Sequence, residues 1–147
     1  MKMKKWARVK VPASTSNLGP GFDALGLALD IYNEVHAERD ASLRGISIQI
    51  EGEGNKSLPR NEGNVIWKAM RMTLARAKAP LEGYELKFVN RIPLTRGLGS
   101  SAAAALGGIL AGNALCGNPF NADKILELAV EMEGHPDNVA PQLLGGL

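Results

Sequence analysis

Near its start the chain alternates apolar and polar residues in the manner of extended strands. Arg8 to Val11 reads as a short strand closed by Pro12, and Ser14 to Gly21 follows as a loop dense in Ser, Asn, Gly and Pro. Strand character resumes from Leu25 to Leu29 and again in the alternating stretch Tyr32 to Glu38. Ile46, Ile48 and Ile50 then fall on one face of a period-two segment, and the polar, glycine-containing stretch Glu51 to Asn64 reads as a surface loop.

The period then changes. From Val65 to Lys78 the spacing predicts a helix whose apolar face is Ile66, Ala69, Met70, Leu74 and Ala77, with Lys68, Arg71 and Arg76 spread over the other side. Pro80 and Gly83 close it, and Tyr84 to Val89 alternates as another strand. The run of small residues from Ser101 to Cys116 predicts a tightly packed, buried helix. Pro119 prevents its continuation, Asn121 is placed to cap a third helix, and Gly134 to end it. Strands first, then helix, strand, helix and helix suit an α+β fold with helices laid on one face of a sheet.

At 147 residues the chain has room for one core, and 45% hydrophobic with 22% charged residues is an ordinary globular balance. The net charge of +2 rests on no basic stripe; Lys2, Lys4 and Lys5 form a solvated terminus, and two Trp, two Tyr and three Phe are scattered, so no nucleic-acid partner is expected. Cys116 is the single cysteine, which excludes an intrachain disulfide, points to a buried structural thiol, and makes a reducing cytoplasm the expected compartment. No stretch reaches the roughly 18 uncharged apolar residues of a membrane helix, so no membrane association is expected.

The chemistry concentrates in Pro93-Leu94-Thr95-Arg96-Gly97-Leu98-Gly99-Ser100-Ser101-Ala102-Ala103, which joins a strand to a helix. The first turn of a helix carries N–H groups without intrahelical acceptors and a partial positive charge, so a polyanion fits there. Gly97 and Gly99 remove the Cβ atoms that would hold phosphate oxygens off, and permit positive φ. Ser100 and Ser101 offer hydroxyls to cap the helix or to ligate a hydrated cation, and the alanines behind them let the helix lie close to its neighbours. Read from the residues alone, a glycine-rich connector with a serine cap is equally open, and Arg96 either reaches a phosphate or stands in solvent. The loop lacks the Gly-Lys-Ser/Thr ending of P-loop proteins and the spaced glycines of dinucleotide folds.

This stretch resembles the second signature of the GHMP kinases, the superfamily of galactokinase, homoserine kinase and mevalonate kinase. The resemblance implies ATP with its phosphates on residues 93–103, Mg2+ as cofactor, and a fold like domain 2 of ribosomal protein S5. Two more motifs resemble the homoserine kinases in particular. One is Val11-Pro12-Ala13-Ser14-Thr15-Ser16-Asn17-Leu18-Gly19-Pro20-Gly21-Phe22-Asp23, in which Asn17 and Asp23 serve either as turn formers or as groups that orient a substrate hydroxyl. The other is Glu133-Gly134-His135-Pro136-Asp137-Asn138-Val139-Ala140-Pro141.

The resemblance implies phosphorylation of L-homoserine, the step feeding threonine synthesis, with Asp137 binding the substrate ammonium, His135 bonding substrate or loop, and Asn138 holding the attacking hydroxyl. An amide accepts no proton, so Asn138, Asn17 and Asp23 are expected to act by positioning and charge. Periodicity places Glu127 in solvent; the resemblance makes it, with Ser101, a magnesium ligand. Asn64 is either a helix N-cap or a residue beside the adenine. Such kinases continue into a C-terminal domain with a further glycine-rich signature. Residues 1–147 are thus expected to be the ATP-binding domain alone, which either folds without turnover or needs its other half in trans, and a homodimer is only the general prior for soluble enzymes.

Overall fold

The computed structural model describes residues 1–16 and 26–145. Its elements are β1 (Trp6–Ser16), β2 (Gly26–Arg39), β3 (Ile46–Gly52), α1 (Val65–Arg76), β4 (Tyr84–Asn90), α2 (Ser100–Leu115), α3 (Ala122–Glu133) and α4 (Val139–Leu144). The sheet runs in the order β1-β2-β4-β3, antiparallel except where β3 and β4 lie parallel around the crossover helix α1. The expected α+β arrangement, a mixed sheet with helices on one face, is the fold observed.

The alternation anticipated from sequence explains which sheet face is covered. Val35, Ile48, Ile50, Leu86 and Phe88 are buried against Trp67, Met70 and Leu74 of α1 and Leu115 of α2. A second apolar group lies closer to the glycine-rich loop, where Val11, Ala13 and Ile92 meet Ala102, Leu106 and Ile109 of α2, Leu128 of α3 and Val139 of α4. Cys116 is buried, and burial pushes its thiol up from the ordinary range, in keeping with a structural role. Among the described residues no helix is long and apolar enough to cross a membrane.

Two elements depart from the sequence reading. β1 does not stop at Pro12 but runs on to Ser16. Pro12 is tolerated because β1 is an edge strand and the register shifts there: Pro12 faces Tyr32 and Ala13 faces Leu29, so Asp30 and Ile31 bulge from the ladder. The turn after Gly134 leads into α4, which sequence did not suggest because it is only six residues long and contains a proline. Pro141 lies in its first turn, where a missing N–H breaks no intrahelical bond.

α2 is the helix that small residues place. A Cβ at Gly108 would overlap the Ile66 carbonyl oxygen and come 2.9 Å from Ala69 Cβ, and one at Gly107 would come 2.9 Å from Val35 Cγ2. On the opposite sheet face, Glu34 has a side chain only 6% exposed and collects Arg8 (3.1 Å), His36 (3.0 Å), Arg91 (3.4 Å) and Lys10 (3.7 Å). The His36 hydrogen bond, then the bond and charge of Arg8 and the charge of Arg91, outweigh burial and hold its carboxyl down from 4.5 to about 2.

Gly108→Ala is therefore expected to destabilise the protein by about 1–3 kcal/mol, read as a lower denaturant midpoint with unchanged slope. The second expectation concerns acid. A carboxyl whose pKa is lowered on folding stabilises above its unfolded value and ceases to as pH falls through the folded one. Stability should drop as pH falls from about 4.5 towards about 2, and acid titrations of Glu34→Gln should show a shallower loss in that window.

Candidate active site

The glycine-rich loop leaves β4 under tight control. Asn33 Oδ1 accepts from the backbone N–H groups of Arg91 (2.7 Å) and Ile92 (2.9 Å), fixing the chain as it turns out of the sheet. Thr95, Gly97 and Gly99 then take positive φ of 55°, 69° and 71°. The curl expected of the glycines is present, and a threonine shares it at a local conformational cost typical of functional loops. Gly99 occupies the N-cap of α2 and supplies no side-chain cap, so among the described residues the leading N–H groups of this 16-residue helix have no side-chain acceptor. Ser100 and Ser101 do not cap; they lie within the first turn, because Gly99 holds the cap position in a left-handed conformation.

The two glycines have different neighbours. A Cβ on Gly97 would meet nothing within 4 Å, whereas one on Gly99 would strike Ser14 Oγ and the Gln142 amide and lie 3.2 Å from Asn138 Oδ1. Among the described residues Gly97 thus leaves the outer side of the loop open, and Gly99 lets β1 and α4 with its N-cap close on the inner side. Arg96 is exposed, Pro93, Leu94 and Leu98 are partly buried, and Ala102 and Ala103 are packed into the core, where they seat the helix.

Beside the loop lies a cleft of about 390 Å³, mainly apolar, lined by Leu58, Pro59, Asn64, Val65, Leu94, Thr95 and the start of α2 from Ser100 to Ala104. Asn64 is on its wall because it caps α1. Its Oδ1 accepts from Ile66 N (2.9 Å) and Trp67 N (3.4 Å), and its Nδ2 donates to the Pro59 carbonyl (2.9 Å). The capping role is present and places the residue beside the cleft as well.

Gly134 ends α3 in a left-handed conformation, and the segment that follows packs against the start of β2. A Cβ on Gly26 would come 2.7 Å from the Asp137 carbonyl oxygen and 2.9 Å from the Pro141 ring. His135 is exposed, with Nδ1 3.8 Å from Asp137 Oδ1. Asn138 precedes α4 but does not cap it with its side chain; Ser14 Oγ donates to its Oδ1 at 2.8 Å. Gln142, from α4, donates through Nε2 to Ser14 Oγ (2.9 Å) and to the Gly99 carbonyl (2.9 Å), while Ser14 N donates to the Leu98 carbonyl (3.0 Å). Three segments far apart in sequence, those of Ser14, Gly99 and Asn138, therefore meet at one point. Asn17 and Asp23 lie outside the described residues.

Ser101 Oγ donates to Glu133 Oε1 at 3.1 Å, while Glu127 is exposed on α3 and pairs with Lys124 at 2.9 Å. The end of α3 thus lies against the start of α2, with the Glu133 carboxylate on Ser101. Ser14 and Gln142 were missed as site residues. Ser14 lies inside the first motif but has the sequence character of a loop, and Gln142 belongs to the helix that sequence does not suggest.

Residues 64–146 match the family model described as GHMP kinases N terminal domain. Over 139 residues the chain is 48% identical to a homoserine kinase of Carboxydothermus hydrogenoformans, covering 95% of this chain and 45% of that protein. A homoserine kinase of Moorella thermoacetica is 47% identical over the same length, with 95% and 46% covered. The crystal structure of homoserine kinase from Cytophaga hutchinsonii superposes with a TM-score of 0.84 at 34% identity, over 97% of this chain and 47% of that one. The mevalonate kinase of Methanococcus jannaschii, at 21% identity and a TM-score of 0.77 over 94% of this chain and 51% of that one, shares the fold. The chain spans about half the length of the curated relatives it matches.

Proposed function

Because the chain belongs to the GHMP kinases through their N-terminal domain, we propose that it is the nucleotide-binding part of an enzyme that transfers the γ-phosphoryl group of ATP to the side-chain hydroxyl of L-homoserine, giving O-phospho-L-homoserine. The observation that carries this reading is the meeting of the three motifs at Ser14, Gly99 and Asn138. Together they set a loop suited to phosphates against the segment that resembles a substrate site of homoserine kinases.

In this reading the adenine occupies the apolar cleft beside Asn64 and Leu94, and the triphosphate lies along Gly97 toward the N-terminal end of α2. The donor set beside that helix is a serine hydroxyl and a carboxylate, Ser101 and Glu133. These are hard oxygen ligands of the kind that suits Mg2+ when phosphates and water complete the shell. Bound there, the cation would screen the β- and γ-phosphates. Asn138, with Asp137 and His135 beside it, faces the acceptor alcohol, and Asn17 and Asp23 complete the substrate contacts. Asn138 orients the hydroxyl without taking its proton, which passes to phosphate or solvent; a loose transition state needs little activation of the nucleophile.

Calorimetric titration of Mg-ATP into the intact protein, with and without L-homoserine, tests the substrate; homoserine-dependent ADP release is expected, and equal turnover of an unrelated alcohol such as mevalonate would refute the choice. Asn138→Ala should lower kcat by about 100-fold or more, and near-normal turnover would remove its role. Glu133→Gln should raise the half-saturating Mg2+ concentration by about 10-fold, while Glu127→Gln leaves it unchanged. The reverse pattern would return the ligand role to Glu127.

A further inference from the structure

Among the described residues, one assignment of donors and acceptors gives the buried Ser14 hydroxyl proton an acceptor, and it starts from a backbone group. The Gly99 carbonyl oxygen can only accept, so the Gln142 side-chain atom 2.9 Å from it is the NH2 end of the amide. That same nitrogen is 2.9 Å from Ser14 Oγ, which must accept from it. Ser14 Oγ keeps one lone pair and its proton, and among the described residues the remaining partner is the Asn138 side chain at 2.8 Å; only its oxygen gives the buried proton an acceptor. The Asn138 atom facing Ser14 is therefore the oxygen, and its NH2 group is turned the other way. Amide orientation is ordinarily ambiguous between O and N; here it follows from a backbone carbonyl two side chains away.

The surroundings make this arrangement hard to relax. Ser14 is fully buried and Gln142 is 5% exposed, so water is a poor substitute partner for either. Gly99 has no Cβ, which would otherwise occupy the space of Ser14 Oγ. Ser14 is also held by its backbone N–H, which donates to the Leu98 carbonyl of the same loop.

We propose that Ser14 and Gln142 are positioning residues: the relay Gln142 Nε2–H to Ser14 Oγ–H to Asn138 Oδ1 locks the Asn138 amide so that its Nδ2 donates toward the acceptor alcohol, and ties that orientation to the phosphate loop through the Gly99 carbonyl. The inference rests on the kinase reading for its catalytic consequence, but the lock itself is independent of it. An amide presenting NH2 holds a hydroxyl by its oxygen, leaving that oxygen's proton and a lone pair directed elsewhere. With Ser14 removed, the Asn138 amide loses the donor that fixes it and populates both flips.

The test is a double-mutant cycle in the intact protein. Ser14→Ala should lower kcat by about 10- to 100-fold with KM for ATP unchanged. In an Asn138→Ala background the same substitution should cost almost nothing further, because it acts through Asn138. Gln142→Leu should show the same non-additivity. Full multiplicative losses in both backgrounds, with melting temperatures showing folded protein, would overturn the proposal. Nitrogen-15 spectra supply a readout that needs no turnover: the side-chain NH2 signals of Asn138 should shift and broaden in Ser14→Ala and Gln142→Leu. If no alcohol is phosphorylated, the kinase reading fails, and these signals alone decide the lock; unchanged signals in both variants refute it.

Discussion

Helix α2 can lie against its neighbours only because it carries glycine where they come closest. Gly108 faces the Ile66 carbonyl of α1, Gly107 faces Val35 of β2, and Gly112 would put a Cβ 3.1 Å from Thr73 Cβ. In an interior packed to crystalline density, one added methyl at such points moves the whole helix rather than a side chain. The position of the start of α2 is thus set by contacts along its middle. Everything at the candidate site is referred to that start: the N–H groups of its first turn, Ser101, and the Gly99 carbonyl that anchors Gln142.

Buried polar groups add a second kind of constraint. Apolar packing fixes positions but leaves side-chain rotations and amide flips nearly free. Ser14, Asn138 and Gln142 remove that freedom, since each hydrogen bond in the relay determines the direction of the next. The division of labour matches the reaction proposed. Phosphoryl transfer asks for little covalent chemistry from the protein and much positioning, and an asparagine is useful at the acceptor hydroxyl only if the correct end of its amide faces it.

Much of this was legible in the sequence because it is local. The caps Asn64 and Asn121, the stop at Gly134, the apolar face of α1 and the buried character of α2 are all read within a turn or two of the residue concerned, and all are observed. The failures are non-local. The stretch Ala13 to Ser16 has no strand pattern of its own and is extended because Ala28, Leu29 and their neighbours pair with it across the sheet. Periodicity put Glu127 in solvent correctly; the closeness of Glu133 to Ser101 depends on the direction in which α3 crosses α2, which no spacing along the chain encodes. The glycines of the Gly99 loop suggest a phosphate site from sequence alone, yet the structural reason for Gly99 is its neighbours Ser14 and Gln142, which lie 85 and 43 positions away.

The loop is anchored at its other end by the alternation of a single strand. Asn33 and Glu34 are consecutive on β2 and point to opposite faces of the sheet. Asn33 takes the backbone N–H groups of Arg91 and Ile92, while Glu34 takes the Arg91 side chain as part of its cluster with Arg8, Lys10 and His36. An exposed ion pair alone would contribute little. Glu34 differs in being almost wholly covered, so losing it would leave several cations facing one another at the exit of β4. The chain is therefore gripped from both faces of the sheet just before it enters the loop, and by the Gly99 carbonyl just as it leaves. With the Leu98 carbonyl also held by the Ser14 N–H, residues 93–97 lie between those grips, which is the span a triphosphate would have to fit.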